Sequence, residues 1–292
     1  MPSTTTNYRL KMLERLRHLA EPGIAPEQDT VLITGGCGGL GRELVKRFGN
    51  ANYKVVAVDI CSKTLFEQIF DCKIQKPTNM YYFSCDITCA TSLQQLKIDI
   101  ENLKIGPVTV LINNAGITSN TPIKDFSSAN PMSIEKIMNV NFQSCFGLIQ
   151  LFLPGMIAAN RGYIVNVASV LGILSPAKLA PYGASKGALI NMHELLNAEL
   201  SRSNHINNNI NTLLVLPGQI KTNMFANINT PSKLFAPVLK TEELADNIYK
   251  AMMNKHKTLC TPYYVHYIPL IKNFDWPLTF MARFFSKMDQ VL

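Results

Sequence analysis

The sequence predicts an α/β fold, a doubly wound parallel sheet of seven strands with helices on both faces. Three observations carry that expectation. Residues 31–44, Val-Leu-Ile-Thr-Gly-Gly-Cys-Gly-Gly-Leu-Gly-Arg-Glu-Leu, pass from an aliphatic run through a glycine-rich turn into an amphipathic helix. Strand-like and helix-like patterns then alternate as far as residue 265, the order expected of parallel strands joined by crossover helices. At 292 residues, 47% hydrophobic and 16% charged, the chain can form one large domain with extensions.

Val31, Leu32 and Ile33 read as a buried strand. Leu40, Leu44, Val45 and Phe48 fall on one face of the helix that follows. A strand, a glycine turn and a helix in that order make a phosphate site. The helix N-terminus offers unpaired N–H groups, and glycines let a pyrophosphate approach the backbone. The spacing is Gly35, Gly39, Gly41, or G-x-x-x-G-x-G. A tight turn with no ligand would also favour glycine, so this stretch alone leaves both readings open.

The second strand is 54–59 and ends in Asp59, eighteen positions after Gly41. A carboxylate there accepts hydrogen bonds from ribose hydroxyls and repels a 2′-phosphate, favouring NAD over NADP. An ordinary turn aspartate is the plainer alternative. Residues 61–76 read as a polar helix and loop, 81–84 as a third strand, and 90–104 as a helix. Asp86 either meets an adenine edge or starts that helix. A fourth strand, 108–112, runs into Asn113-Asn114-Ala115-Gly116, a turn whose amides can tie neighbouring strands. Residues 133–153 read as a helix with Asn141 inside it, a weak helix former in an odd place. It is a solvent-facing residue or a functional amide. Tyr163 to Val167 is a fifth strand, 182–201 a helix, and 211–216 a sixth strand stopped by Pro217-Gly218. Thr241 caps a helix over 241–254, and 258–265 is a seventh strand. The domain reading is a basic extension at 1–28, the main domain at 29–265 and an aromatic tail at 266–292.

Tyr182-Gly-Ala-Ser-Lys186 opens the long helix after the fifth strand. Residues four apart share a helix face, so the Lys186 ammonium can lie near the Tyr182 phenol and lower its pKa from about 10. That makes Tyr182 a general acid/base. A Tyr-x-x-x-Lys pair alone is common by chance. Here Ser169 stands thirteen residues earlier at a predicted strand end, where ligands of such sheets bind. Ser169 is placed to orient a substrate oxygen, and Asn141 to hold a water between Lys186 and solvent.

Together these residues resemble the short-chain dehydrogenase/reductase family. The matching set is Thr34-Gly35-x-x-x-Gly39-x-Gly41, Asp86, Asn113-Asn114-Ala115-Gly116, Asn141, Ser169, Tyr182, Lys186 and Pro217-Gly218 with Thr222. It runs in unbroken order over roughly 29–260. The nearest likeness is to the branch with 17β-hydroxysteroid dehydrogenase type 11 and membrane-associated retinol dehydrogenases. It rests on the Val-Leu-Ile-Thr-Gly-Gly entry, Val56-Ala-Val-Asp59 and an aromatic tail. The chain departs from it in an Asn-rich insertion at 204–211 and in lacking a clear N-terminal membrane span.

The resemblance implies a Rossmann-type fold and an oxidoreductase with Asn141, Ser169, Tyr182 and Lys186 as catalytic residues. It implies an NAD site, NADP being the lesser expectation, formed by Thr34, Gly35, Gly39, Leu40, Gly41, Asp59, Asp86, Ile87, Asn113, Ala115, Gly116, Tyr182, Lys186, Pro217, Gly218, Ile220 and Thr222. A homodimer paired through the helices carrying Asn141 and Tyr182 is implied too. Two other readings stay open: an NADPH-dependent lipid ketone reductase, and an NAD-binding scaffold or sensor on the same fold.

Lys plus Arg number 28 against 20 acids, a net charge of +8. That favours an acidic partner, but the basic residues are scattered and no nucleic-acid motif appears, so no nucleic-acid partner is expected. Seven cysteines, an odd number with no C-x-x-C pair, predict reduced, mostly structural thiols in a cytoplasmic protein and no metal site. No signal peptide is seen, nor any uninterrupted apolar run long enough to cross a bilayer. A basic amphipathic helix at 8–20 either docks on the domain or lies on a membrane. Met224, Phe225, Phe235, Tyr263, Tyr264, Trp276, Phe280, Phe284 and Phe285 suit a lipophilic alcohol or ketone, such as a steroid, retinoid or long-chain lipid. A plain aromatic core beneath a lid is the alternative. With the positive charge, the tail also suits peripheral attachment to a cytosolic leaflet, at the endoplasmic reticulum or lipid droplets.

Overall fold

The computed structural model describes residues 23–71, 79–118, 131–177, 179–202, 209–222, 224 and 237–269. The expected helix at 8–20, residues 204–208 of the Asn-rich insertion and the tail beyond 269 lie outside them, as do Phe225, Phe235, Trp276, Phe280, Phe284 and Phe285. The strands are β1 (Thr30–Thr34), β2 (Lys54–Asp59), β3 (Met80–Ser84), β4 (Val108–Asn113), β5 (Gly162–Val167), β6 (Ile210–Pro217) and β7 (Thr258–Thr261). The helices between them are α1 (Gly39–Asn50), α2 (Lys63–Asp71), α3 (Ala90–Asn102), α4 (Pro131–Met138), α5 (Ser144–Ala158), α6 (Ala180–Arg202) and α7 (Thr241–Met253). A π turn, Asn139–Gln143, joins α4 to α5.

All seven strands pair in parallel in the order β3-β2-β1-β4-β5-β6-β7. The expected fold is therefore the observed one. Strand alternation sorts the aliphatic residues between two layers. Val31, Ile33, Val55, Ala57, Val110 and Ile112 face one core, with Leu44 and Phe48 of α1 and Leu244 and Ile248 of α7. Leu32, Val56, Val58, Leu111 and Ile164 face the other, with Leu96 of α3, Leu148 and Phe152 of α5 and Leu189 of α6. Both faces of the central strands are covered, which is why they read as continuous apolar runs rather than alternating ones.

The strand order reverses between β1 and β4. In open α/β sheets this leaves a crevice at the carboxyl ends of those strands. The glycine turn after β1 and the Asn-Asn-Ala-Gly turn after β4 both lie there. The opposite end of the sheet is tied by Asp29, which is almost fully buried. Its carboxylate accepts from Ala25 N at 2.6 Å, Thr109 Oγ1 at 2.8 Å, and Arg161 Nε and Nη2 at 2.8 and 2.6 Å.

Three local expectations are corrected. The helix predicted at 133–153 is three pieces, because Ser144 N reaches back to Asn139 O across five residues instead of four. β7 ends at Thr261, and Tyr263–Tyr267 turns away as a 3-10 helix once Pro262 leaves the ladder without an amide donor. Lys240, not Thr241, is the N-cap of α7, and the Thr241 hydroxyl donates to Glu242 instead. Although no uninterrupted apolar run marks a span, Ile134–Ala158 is long and apolar enough to cross a membrane by length and composition. That stretch lays Leu148, Ile149, Phe152 and Met156 under the sheet.

Candidate active site

The glycine turn is shaped by close approach. Gly35 adopts φ +69°, and a Cβ there would sit 3.0 Å from the Ala115 Cα. A Cβ on Gly41 would overlap the Gly35 carbonyl oxygen. The Thr34 hydroxyl accepts from Asn114 N and Ala115 N at 3.1 and 3.0 Å, and Asn114 Nδ2 donates to Thr34 O at 2.9 Å. The two turns beside the crevice thus hold each other. Leu40, at the start of α1, is buried in the core, which anchors the helix whose N-terminus faces the turn. Thr222 closes in from β6, since a Cβ on Gly39 would lie 2.8 Å from its methyl group. The segment between is fixed by Gly218 N donating to Thr261 O at 2.7 Å and by Ile220 bridging to Leu239.

Asp59 sits at the tip of β2. Its Oδ2 accepts from Cys37 N at 2.9 Å and its Oδ1 from Ile60 N at 2.7 Å. The carboxylate is therefore steered toward the glycine turn by backbone donors. No described Lys or Arg forms an ion pair with it.

The second half of the site gathers four residues from three elements. The π turn rotates Asn141 inward until it is wholly buried. Its Oδ1 accepts from Ile117 N at 2.8 Å, and its Nδ2 donates to Ile117 O and to Ser185 Oγ, both at 2.9 Å. Ser185 Oγ in turn donates to Tyr182 O at 2.7 Å. Ser169 follows β5 in extended conformation and accepts from Leu171 N at 3.1 Å. Its hydroxyl also hydrogen-bonds the Tyr182 phenol. Lys186 is buried, with Nζ donating to Val167 O at 2.8 Å. Gly116 lies between the two halves, for a Cβ there would be 3.4 Å from Asn141 Oδ1 and 3.5 Å from Lys186 Nζ.

The electrostatics correct the expected phenol. Burial pushes Tyr182 up to about 12, with the Ser169 hydrogen bond pulling the other way. Burial pushes Lys186 down to about 8. Desolvation penalises the charged form of both groups. The ammonium lies 5.9 Å from the Tyr182 ring centroid and is spent on a carbonyl. It does not offset that penalty.

Three of the predicted residues turn their side chains to other partners. Asn113 stands at the right strand end, but its Nδ2 turns along the sheet to Asn166 Oδ1 at 2.8 Å. Ile87 is buried in the core beside α3. Asp86 is exposed and accepts from Thr88 N at 2.9 Å and Thr88 Oγ1 at 2.7 Å, which lowers its pKa. The N-cap of α3 is Cys89, three residues further on.

Three features had no sequence signal of their own. Ser185 links Asn141 to α6. Asn166 and His193 continue the buried chain from Asn113, with Asn166 Nδ2 3.1 Å from His193 Nδ1. The Cys37 and Cys61 sulfurs meet beside Asp59, a pairing that the expectation of seven separate thiols did not foresee. Cys85, Cys89, Cys145 and Cys260 are free.

Comparison with known proteins identifies the family and the fold. Residues 29–233 match the family described as short chain dehydrogenase. The chain is 40% identical over 273 residues to an uncharacterized oxidoreductase of Saccharomyces cerevisiae, covering 92% of this chain and 85% of that protein. It is 31% identical over 244 residues to short-chain dehydrogenase/reductase family 16C member 6 of Bos taurus, covering 84% and 75%. To estradiol 17-beta-dehydrogenase 11 of Macaca fascicularis it is 28% identical over 261 residues, covering 89% and 83%. Two solved structures share the fold. A short chain dehydrogenase/reductase from Burkholderia phymatum in complex with NAD superposes with a TM-score of 0.73 at 20% identity, covering 86% of this chain and 95% of that one. A short chain dehydrogenase from Burkholderia cenocepacia in complex with NADP gives 0.69 at 23%, with the same coverage. The chain belongs to the short-chain dehydrogenase family and is an oxidoreductase.

Proposed function

We propose that this protein interconverts a lipophilic alcohol and its ketone or aldehyde, using NAD in preference to NADP. The observation that carries the reading is the gathering of buried Ser169, Tyr182, Lys186 and Asn141 at the end of the crevice. A nicotinamide dinucleotide fits the residues present. The turn at Gly35, Gly39 and Gly41 has no room for side chains, and a pyrophosphate can approach its backbone at the N-terminus of α1. Asp59 is aimed at the ribose position by backbone donors, and a carboxylate without a basic neighbour repels a 2′-phosphate. Thr34, Ala115, Gly116, Pro217, Gly218, Ile220 and Thr222 would border the bound cofactor. Lys186 would hold the ribose next to the nicotinamide. When bound, the nicotinamide supplies or accepts the hydride.

Ser169 holds the substrate oxygen in place with its hydroxyl. Tyr182 gives its phenolic proton to that oxygen as a carbonyl is reduced, or takes it as an alcohol is oxidised. Lys186 offers positive charge near the phenol when the proton has left it. Asn141 fixes the strand end at Ile117 against α6 through Ser185, and so sets the position of the helix that carries both Tyr182 and Lys186.

A lipophilic substrate is supported by the aromatic turn after β7. Tyr263, Tyr264 and Tyr267 are exposed there, and Pro262 packs on Gly218 beside the crevice. Tyr182→Phe removes the proton donor and keeps the ring. It is expected to lower turnover by about 10²- to 10⁴-fold while NAD still binds. The assay is a panel of steroid, retinoid and fatty alcohols with either cofactor. Turnover at the parent rate in Tyr182→Phe refutes the assignment.

A further inference from the structure

The glycine turn carries a second chemical feature that hydride transfer does not use. Cys37 sits in the middle of the turn, and Cys61 lies two residues beyond Asp59. The structure brings their sulfurs together across 24 residues of sequence, with Cα atoms 7.2 Å apart. The two sulfurs and an Asp59 carboxylate oxygen all lie within 4.8 Å of one another, and all three residues are only partly buried. The Tyr82 hydroxyl donates to Cys61 O at 2.6 Å and lies 3.1 Å from the Cys61 sulfur, which closes the cluster from β3.

The bridge is poorly placed for a structural role. The segments it joins are already held by the β1–β2 ladder and by Cys37 N donating to Asp59. It is well placed to obstruct. A ribose hydroxyl must come within hydrogen-bond distance of the Asp59 carboxylate, about 2.7 Å, and the bridged sulfurs flank that carboxylate. As separate thiols, the two side chains can turn away by rotation about χ1.

We propose that Cys37 and Cys61 form a reversible thiol–disulfide modification site, and that the bridge excludes the adenosine end of the cofactor. The oxidant is a peroxide. One thiol loses its proton and, as the thiolate, attacks a peroxide oxygen, forming an S–O bond and breaking the O–O bond; the leaving hydroxide or alkoxide takes up that proton as water or alcohol. The second thiol likewise loses its proton and attacks the sulfenic sulfur, forming the S–S bond and breaking the S–O bond, and the leaving hydroxide takes up the proton as water. The two sulfurs together lose two electrons, and the peroxide gains them. A dithiol reverses the step through two exchanges and is itself left as a disulfide. The inference rests on the dinucleotide reading of the preceding section.

The test compares the whole protein after dithiothreitol and after hydrogen peroxide. Peptide mass spectrometry without reduction reads the cross-link, and a fluorescence titration reads NAD affinity. Peroxide is expected to produce the 37–61 cross-link and to raise the Kd for NAD by about tenfold or more, roughly 1.4 kcal/mol. Dithiothreitol restores the affinity, and neither Cys37→Ser nor Cys61→Ser responds to peroxide. Cys89 is the thiol to watch as a control, since hydrogen bonds from Ser92 and Thr91 lower it to about 7. If the cross-link forms and NAD affinity does not change, the bridge is structural and the proposal fails. It also fails if peroxide modifies Cys89 and leaves 37 and 61 unlinked. Inhibition reversed by a chelator but not by dithiothreitol would put a metal cation on the same three groups, and overturns the bridge. If reduced protein binds no NAD at all, the dinucleotide reading itself falls; that result is distinct from equal binding in both states.

Discussion

Tyr182 and Lys186 are charged only at a cost in their buried setting, and this sets the pH response. Tyr182, at about 12, keeps its proton through neutral pH, while Lys186, at about 8, is the first to lose one. Carbonyl reduction needs the phenol protonated, so its rate should hold level up to about pH 8 and fall above it as the lysine discharges. Alcohol oxidation needs the phenol to shed its proton, so it should climb with pH up to about 8 and flatten above that as the lysine discharges. Paired pH–rate profiles at saturating cofactor check both, and an oxidation optimum below pH 7 contradicts the assignment. His193 makes a separate prediction. Burial and the charge of Lys257 push its pKa from 6.5 down to about 4. The folded protein therefore binds fewer protons than the unfolded chain between those values. Its contribution is complete above pH 6.5 and is lost as pH falls toward 4, about 3 kcal/mol in all. Urea midpoints at pH 7 and pH 4.5 should differ less in His193→Gln than in the parent. The sequence pointed to Tyr182, Lys186 and Ser169 because spacing along a helix and position at a strand end are local properties. It did not give the direction of the Tyr182 shift, because burial is set by everything packed around the ring.

Between elements, the two ends of the sheet divide the labour. The carboxyl end holds the glycine turn, Asp59 and the Tyr182 cluster. The amino end holds Asp29 with its four hydrogen bonds from Ala25, Thr109 and Arg161. Asp29→Ala should cost about 3 kcal/mol, since it takes one partner from a buried ion pair. Chemical denaturation reads that loss, and NAD affinity in the same variant should stay at the parent value because the far end of the sheet is untouched. The helix around Asn141 shows what sequence pattern misses between elements. Apolar spacing predicted one helix over 133–153. The π turn at 139–143 is invisible to that pattern, because it inserts one residue without breaking the apolar stripe. Yet it is what points Asn141 at Ile117 and Ser185.

At the scale of the whole molecule, cofactor binding should register as stability. A ligand held only by the folded state at 100 times its Kd adds about 2.7 kcal/mol. For a chain of this size that is a rise of about 4 °C in Tm. NAD should produce it at a lower concentration than NADP, and the reverse order would remove the argument from Asp59. The strand and helix order, the glycine turn, the acid after β2 and the Tyr-x-x-x-Lys pair were all fixed by sequence, since each depends on residues within one or two turns or strands of each other. Tertiary structure alone decided the rest. It turned Asn113 toward Asn166, placed Ile87 in the core, and brought Cys37 against Cys61 beside Asp59. Those outcomes depend on which distant segments share a sheet edge, and strand register and packing against other layers settle that, not the spacing of residues along the chain.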